Sequence, residues 1–121
     1  MNTQQASIFN GINAVIGVAL LVSPFVLGVT NTAQQTNDII FGIIIGVLSL
    51  IRAFYPSRSG IWMSWFNTLF GIWLILAPFA LGYAASHLWH DVIAGVIVAG
   101  LSLWDAMSGT TSAPRTRGAA I

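Results

Sequence analysis

"LLVSPFVLG" at Leu20–Gly28 places a proline inside an apolar run, and "LILAPFALG" at Leu74–Gly82 repeats the arrangement. Proline has no backbone N–H, so the carbonyl of the residue four positions earlier loses its helical partner. A glycine follows each proline and suits the end of a helix. The two stretches therefore predict two apolar helices, each bent near its end and placing a phenylalanine at the membrane interface.

The composition predicts that most of the chain lies in lipid. Charged residues make up 6% of the sequence and hydrophobic residues 56%, whereas a soluble domain carries about 25% charged residues. A small protein in water needs polar residues to cover its large relative surface. The absence of cysteine excludes disulfides and thiolate metal sites. No basic patch with interleaved aromatic residues is present, so nucleic acid is not an expected partner.

Four apolar stretches predict the membrane spans: Ile8–Gly28, Ile39–Ala53, Ile61–Gly82 and Val92–Met107. A helix needs about 20 residues to cross a hydrocarbon core of about 30 Å, so the second and fourth stretches must recruit flanking residues. Backbone groups in lipid need internal partners, and no segment alternates with a period of two. The predicted fold is an all-α bundle of four transmembrane helices.

The chain contains an internal duplication. Aligning Pro24 with Pro78, an offset of 54 positions, also pairs Asn13 with Asn67 and Gly17 with Gly71. After the loop that follows, an offset of 53 pairs Asp38 with Asp91 and Gly42 with Gly95. This predicts two tandem parallel two-helix repeats, about residues 8–55 and 61–107, related by a pseudo-twofold axis along the membrane normal. Residues 1–107 form one domain in this interpretation, and the small, polar segment 108–121 is a flexible cytoplasmic tail.

The repeated motif resembles that of a known family. Ser23-Pro24-Phe25 and Ala77-Pro78-Phe79 are each followed by leucine and glycine (Gly28 and Gly82), and an Asn-Asp or His-Asp pair then precedes a second apolar helix. This pattern is similar to the SPW-repeat proteins, small bacterial membrane proteins with two helices per repeat. Phenylalanine stands where the motif has tryptophan, and Ala77 where it has serine. The resemblance implies a fold and a membrane location, and no activity.

Arginine placement predicts the orientation. Arg52 and Arg58 flank the middle connection, Arg115 and Arg117 lie in the C-terminal tail, and the other two loops contain no Lys or Arg. By the positive-inside rule, both termini and the middle connection face the cytoplasm across the inner (plasma) membrane.

Small residues predict close helix packing. Gly42 and Gly46 in the second helix form a GxxxG motif, and Gly95 and Ala99 form its counterpart in the fourth. Small residues let helix backbones approach closely in lipid. If the two faces meet, the second and fourth helices form the centre of the bundle. If the faces point outward, they form a docking surface.

Asp38 and Asp91 precede the second and fourth apolar stretches. Acidic residues at these positions are expected to serve as helix N-caps and complement the helix dipole. The alternative is a pair of carboxylates that, with His87 and His90, binds a cation or relays protons. The first repeat offers only Thr36–Asp38 at the matching region, so neither a metal nor another cofactor is expected.

Arg52 and Asp105 fall at equivalent positions of the two repeats. They are candidates for a salt bridge between the repeats. In the alternative interpretation, Arg52 extends to the lipid headgroups and Asp105 is solvated.

No charged residue lies at the centre of a predicted span, and no nucleophile, base and orienting group can be assembled. An enzyme is therefore not expected. The sequence favours a small structural or accessory integral membrane protein, in contact with the lipid bilayer, that associates with itself or with other membrane proteins. The alternatives are an oligomeric transporter or channel for ions or small solutes, and a metal or cofactor binder that uses His87 and His90.

Overall fold

A computed structural model of the protein describes residues 2–56, 58–83 and 85–108, without the side chains of residues 58 and 85–87. Its helices are α1 (Thr3–Val26), α2 (Thr32–Phe54), α3 (Ile61–Leu81) and α4 (Ala85–Ser108), with a 3-10 turn at Arg58–Gly60. All four α-helices are long and apolar enough to cross a membrane, and the described residues contain no strand. The predicted all-α, four-helix membrane fold is confirmed. The predicted tail at 108–121, with Arg115 and Arg117, lies beyond the described residues except for Ser108.

The four helices form a closed bundle. α1 packs most extensively on α2 and α3 on α4, while contacts of α2 with α3 and of α1 with α4 join the two hairpins. We call the end with the α1–α2 and α3–α4 connections the loop end. The opposite end, with the α2–α3 connection, is the junction end.

Glycines set the close approach of helices within each hairpin. A Cβ on Gly17 would lie 2.7 Å from the backbone nitrogen of Gly46, and one on Gly42 would lie 2.7 Å from the carbonyl oxygen of Gly17. In the second hairpin, a Cβ on Gly71 would lie 2.6 Å from the backbone nitrogen of Ala99. The predicted close packing at these small residues is therefore present, but neither alternative from the sequence is correct: the small faces of α2 and α4 neither meet each other nor point outward, because α1 and α3 cover them.

The proline-containing turns end in left-handed glycines. Gly28 has a φ of 66° and Gly82 a φ of 71°, and the amide of the residue after each glycine donates to the carbonyl of Pro24 or Pro78 at 3.0 Å. The hydroxyl of Ser23 donates to the carbonyl of Leu20 at 2.8 Å, the group that Pro24 leaves without its helical partner. Both motif phenylalanines, Phe25 and Phe79, are exposed on the bundle surface.

Both aspartates predicted as N-caps lie inside helices instead. α2 begins at Thr32, and the side chain of Asn31 caps it by accepting from the amide of Gln34. α4 begins at Ala85, well before Asp91. The apolar stretches underestimate the length of both helices, because the residues that begin each helix are not part of an apolar run. Asp38 and Asp91 therefore lie within the helices, and each residue is 0% exposed in the bundle.

An apolar layer divides the interior of the bundle. Its side chains come from all four helices and are at most 2% exposed: Leu20, Ile45, Leu74 and Val98. Buried polar side chains lie on α2 and α4 both before and after this layer. The interior therefore holds charged residues that the sequence analysis placed at the membrane surface.

Candidate functional site: two buried polar clusters

The junction-end cluster consists of Asn10, Arg52, Ser64 and Asp105, one residue from each helix. The guanidinium of Arg52 lies 2.8 Å from a carboxylate oxygen of Asp105, and both side chains are 0% exposed. Arg52 donates through Nε at 3.2 Å and through a terminal nitrogen at 2.8 Å. The long arginine side chain thus links α2 to α4 across the bundle.

Two further side chains hold the Asp105 carboxylate. Asn10 donates to it from α1 at 3.0 Å, and the hydroxyl of Ser64 donates to it from α3. Because a buried carboxylate is costly without partners, four helices contribute to one satisfied ion pair. This arrangement is consistent with a structural role, in which the ion pair holds the helices of the two repeats together.

Two hydrogen bonds lie between the apolar layer and the junction-end cluster. Asn13 of α1 donates to the hydroxyl of Ser102 in α4 at 2.9 Å, and Asn67 of α3 donates to the hydroxyl of Ser49 in α2 at 2.8 Å. The repeat alignment pairs Asn13 with Asn67 and Ser49 with Ser102. Each bond therefore joins a helix of one repeat to a helix of the other.

The loop-end cluster consists of Ser23, Asp38, His90 and Asp91. Nε2 of His90 lies 3.2 Å from a carboxylate oxygen of Asp38 and 2.8 Å from one of Asp91. The same nitrogen lies 3.2 Å from the hydroxyl of Ser23. Both aspartates are completely buried, whereas the histidine side chain is 23% exposed. One imidazole nitrogen therefore faces acceptors from both repeats.

Aromatic residues border the loop-end cluster. Trp73 donates its indole N–H to the side-chain oxygen of Asn37 at 2.7 Å. The side chain of Tyr83 is buried, and its hydroxyl lies beside the side chains of Asn37 and Asp91 without a hydrogen bond of ordinary geometry to either. Burial, followed by the charges of Asp91 and Asp38, raises the pKa of the Tyr83 hydroxyl above its ordinary value. The hydroxyl therefore stays protonated and remains available as a donor.

Comparison with known proteins now identifies the family. The SPW repeat domain matches residues 7–105, which is most of the chain. The protein belongs to the SPW-repeat family. Neither a curated protein nor a solved structure gave a match.

A groove opens beside the loop-end cluster of this SPW-repeat protein. It lies between α1 and α4, has a volume of about 440 Å³, and includes Ala19, Ala94 and His90 in its lining. We call it the α1–α4 groove. The other seam between the repeats, α2 with α3, is occupied by aromatic rings, with Phe41 and Phe70 centroids 5.5 Å apart.

The groove arises from differences between the two repeats. Ala19 is the alignment counterpart of Trp73, and Ala94 is the counterpart of Phe41. The ring of Phe41 lies against that of Trp73 at 6.3 Å between centroids. One seam between the repeats is therefore filled by large rings, and the other keeps an apolar concavity with His90 in its wall.

Some residues of the two clusters could be recognised in the sequence and others could not. The sequence pointed to Arg52 with Asp105, and to Asp38 with Asp91 and His90. It gave no indication of Tyr83 or of the Trp73–Asn37 contact, and Asn10 and Ser64 were not recognised. One signal was available, because Asn10 and Ser64 are alignment counterparts and both are polar. The side chain of His87 lies outside the described part of the chain.

Proposed function

We propose that this protein is a small, non-catalytic structural or accessory membrane component that associates with other transmembrane helices, from a second copy or from a larger complex. The observation that carries the proposal is the α1–α4 groove. It is an apolar concavity in the seam between α1 and α4, whereas aromatic rings fill the α2–α3 seam.

The arrangement of the interior supports an accessory role over transport through one bundle. The apolar layer separates the loop-end cluster from the Asn–Ser pairs, so water and ions meet a closed hydrophobic section. The junction-end carboxylate is fully engaged by Arg52, Asn10 and Ser64. These contacts hold the four helices together at the junction end.

The proposal is tested by filling the groove. Ala19→Trp with Ala94→Phe places in this seam the residue types that the other seam carries. The protein is extracted with its native lipids, and the mass of the assembly is measured by native mass spectrometry. We expect the wild type to carry a second copy or a fixed set of other subunits, and the double variant to lose them.

Ala80→Trp is the matched control, because Ala80 is exposed on α3 and does not line the groove. It should keep the assembly of the wild type. A wild-type protein that is recovered alone contradicts the proposal, as does a double variant that is folded and retains every partner.

A second candidate, an oligomeric transporter or channel for ions or small solutes, is favoured by one observation. Four ionisable side chains inside the candidate spans are fully buried: Asp38, Arg52, Asp91 and Asp105. Ionisable groups at such positions often mark ion or proton pathways. Reconstitution into liposomes tests this candidate. Cation or proton flux that is abolished by Asp38→Asn would replace the accessory role with transport.

A further inference from the structure

The loop-end cluster concentrates negative charge where the bundle excludes water. Asp38 and Asp91 are each 0% exposed, and the only side-chain nitrogen described within ion-pair distance of both is Nε2 of His90. Two buried carboxylates share this single nitrogen, which can donate one hydrogen bond. A buried charge without full pairing is strongly destabilising, so two ionised carboxylates at this place need more positive charge than one imidazolium supplies.

Unpartnered polar atoms provide a second, independent observation. Oδ1 of Asp38 and Oδ2 of Asp91 are buried without a hydrogen-bond partner among the described residues, and the hydroxyl of Tyr83 lies beside Asp91 and Asn37 without a hydrogen bond of ordinary geometry to either. Tyr83 comes from the α3–α4 connection rather than from the carboxylate-bearing segments, and it is only 7% exposed. Buried polar groups in proteins are ordinarily satisfied, so these orphaned atoms point to a ligand that the polypeptide itself does not supply.

We propose that Asp38, His90 and Asp91 bind one divalent cation of the Zn²⁺ type. One ligand atom from each residue lies within 4.8 Å of the others. Imidazole and carboxylate are donors that Zn²⁺ accepts, and three protein ligands leave a fourth position for water or a hydroxyl group such as that of Tyr83. The two positive charges of the ion balance the two carboxylates.

The present spacing requires only a small adjustment. Tetrahedral Zn²⁺ with bonds of about 2.0–2.2 Å needs its ligand atoms about 3.4 Å apart. Nε2 of His90 lies 3.2 Å from the Asp38 oxygen and 2.8 Å from the Asp91 oxygen. Shifts of a few tenths of an ångström bring these two distances to that value, and the carboxylate oxygens of Asp38 and Asp91 already lie within 4.8 Å of each other.

The duplication predicts the stoichiometry. Asp38 belongs to the first repeat, while His90 and Asp91 belong to the second. The counterpart of His90 in the first repeat is Asn37, whose oxygen accepts from Trp73. The two repeats therefore build one site together, and we expect one ion per chain.

The experiment uses the full chain in detergent after removal of metals with a chelator. Isothermal titration with Zn²⁺ measures affinity and stoichiometry, and the visible absorption of added Co²⁺ reports the coordination geometry. We expect one Zn²⁺ per chain, a tetrahedral Co²⁺ spectrum, and a higher melting temperature with Zn²⁺. His90→Asn, which copies Asn37, should weaken Zn²⁺ affinity by at least ~100-fold.

Matched controls separate the site from general effects of charge removal. Asp91→Asn and Asp105→Asn are identical chemical changes to buried carboxylates at opposite ends of the bundle. Only Asp91→Asn should abolish the Co²⁺ spectrum. If either aspartate variant fails to fold, His90→Asn compared with Ser102→Ala decides the same question, because His90 is partly exposed.

Three results would overturn the proposal. They are no saturable Zn²⁺ binding by the wild type, unchanged affinity in His90→Asn, and equal loss of binding in the variants at both ends. The test uses isolated protein and needs no partner, so its outcome is independent of the accessory role.

Discussion

Among single residues, Asp105 connects its own helix to the other three, with side-chain donors from α1, α2 and α3. These hydrogen bonds link the two hairpins, which pack on each other less extensively than the helices within each hairpin do. The sequence placed Arg52 and Asp105 at equivalent positions and left open whether they pair. Their complete burial could not be predicted, because hydropathy does not tell which way a charged side chain turns at the end of a span.

Charge reversal tests this pair. Arg52→Asp places two carboxylates together and should lower the free energy of unfolding by ~3–5 kcal/mol, the usual cost of breaking a buried pair. Exchanging the charges, with Arg52→Asp and Asp105→Arg in one chain, should recover at least half of that loss. Thermal unfolding in detergent measures both. Equal harm from the single and the exchanged variants would show that the two residues do not depend on each other.

Among the helices, glycine positions decide how close each pair comes. The duplication identified Gly17 and Gly71 as counterparts, and their role becomes clear only when the partner backbone is known. The ends of α1 and α3 lie near Gly28 and Gly82, as the sequence predicted, because a positive φ at these positions favours glycine. The predicted starts of α2 and α4 were too late, because polar first turns resemble loops when only apolar length is considered.

Replacing each of two helical glycines by alanine should change the stability of the protein differently. Gly17→Ala forces α1 away from the backbone of α2 and should destabilise the protein by ~1–3 kcal/mol, as overpacking does. Gly100→Ala, in α4, meets nothing within 4 Å and should be neutral or stabilising by up to ~1 kcal/mol, since alanine favours helix. The melting temperatures of the two variants in detergent give the comparison. A Gly17→Ala protein as stable as the wild type would refute the close α1–α2 contact.

For the whole molecule, composition and apolar length were sufficient to predict four membrane helices, and the repeated proline motif indicated the family. The polar interior was not predictable in the same way. Asn13 and Ser102 look isolated in sequence and become partners only when α1 and α4 are placed side by side. The two repeats also differ at Ala19 and Trp73, and this difference becomes a groove only in the assembled bundle.

Orientation remains a prediction from arginine placement. The chain has no native cysteine, so single cysteines report on each side of the membrane. Thr30→Cys at the loop end should react with an impermeant maleimide in intact cells, and Ser59→Cys at the junction end should react only after permeabilisation, because Arg52 and Arg58 favour the cytoplasm. The reverse labelling pattern would invert the topology.

The two hairpins of one chain close around a shared polar interior. Cysteines at Asn13 and Ser102, whose side-chain atoms lie 2.9 Å apart in the buried interior, test this in native membranes with iodine, a small membrane-permeant oxidant that joins neighbouring thiols as a disulfide. Val15→Cys with Ser102→Cys is the control pair, because Val15 is 69% exposed on the bundle surface. We predict efficient cross-linking of the first pair at monomer mass and none of the control. Absence of that cross-link, or its appearance only at dimer mass, would show that the hairpins do not close on each other within one chain.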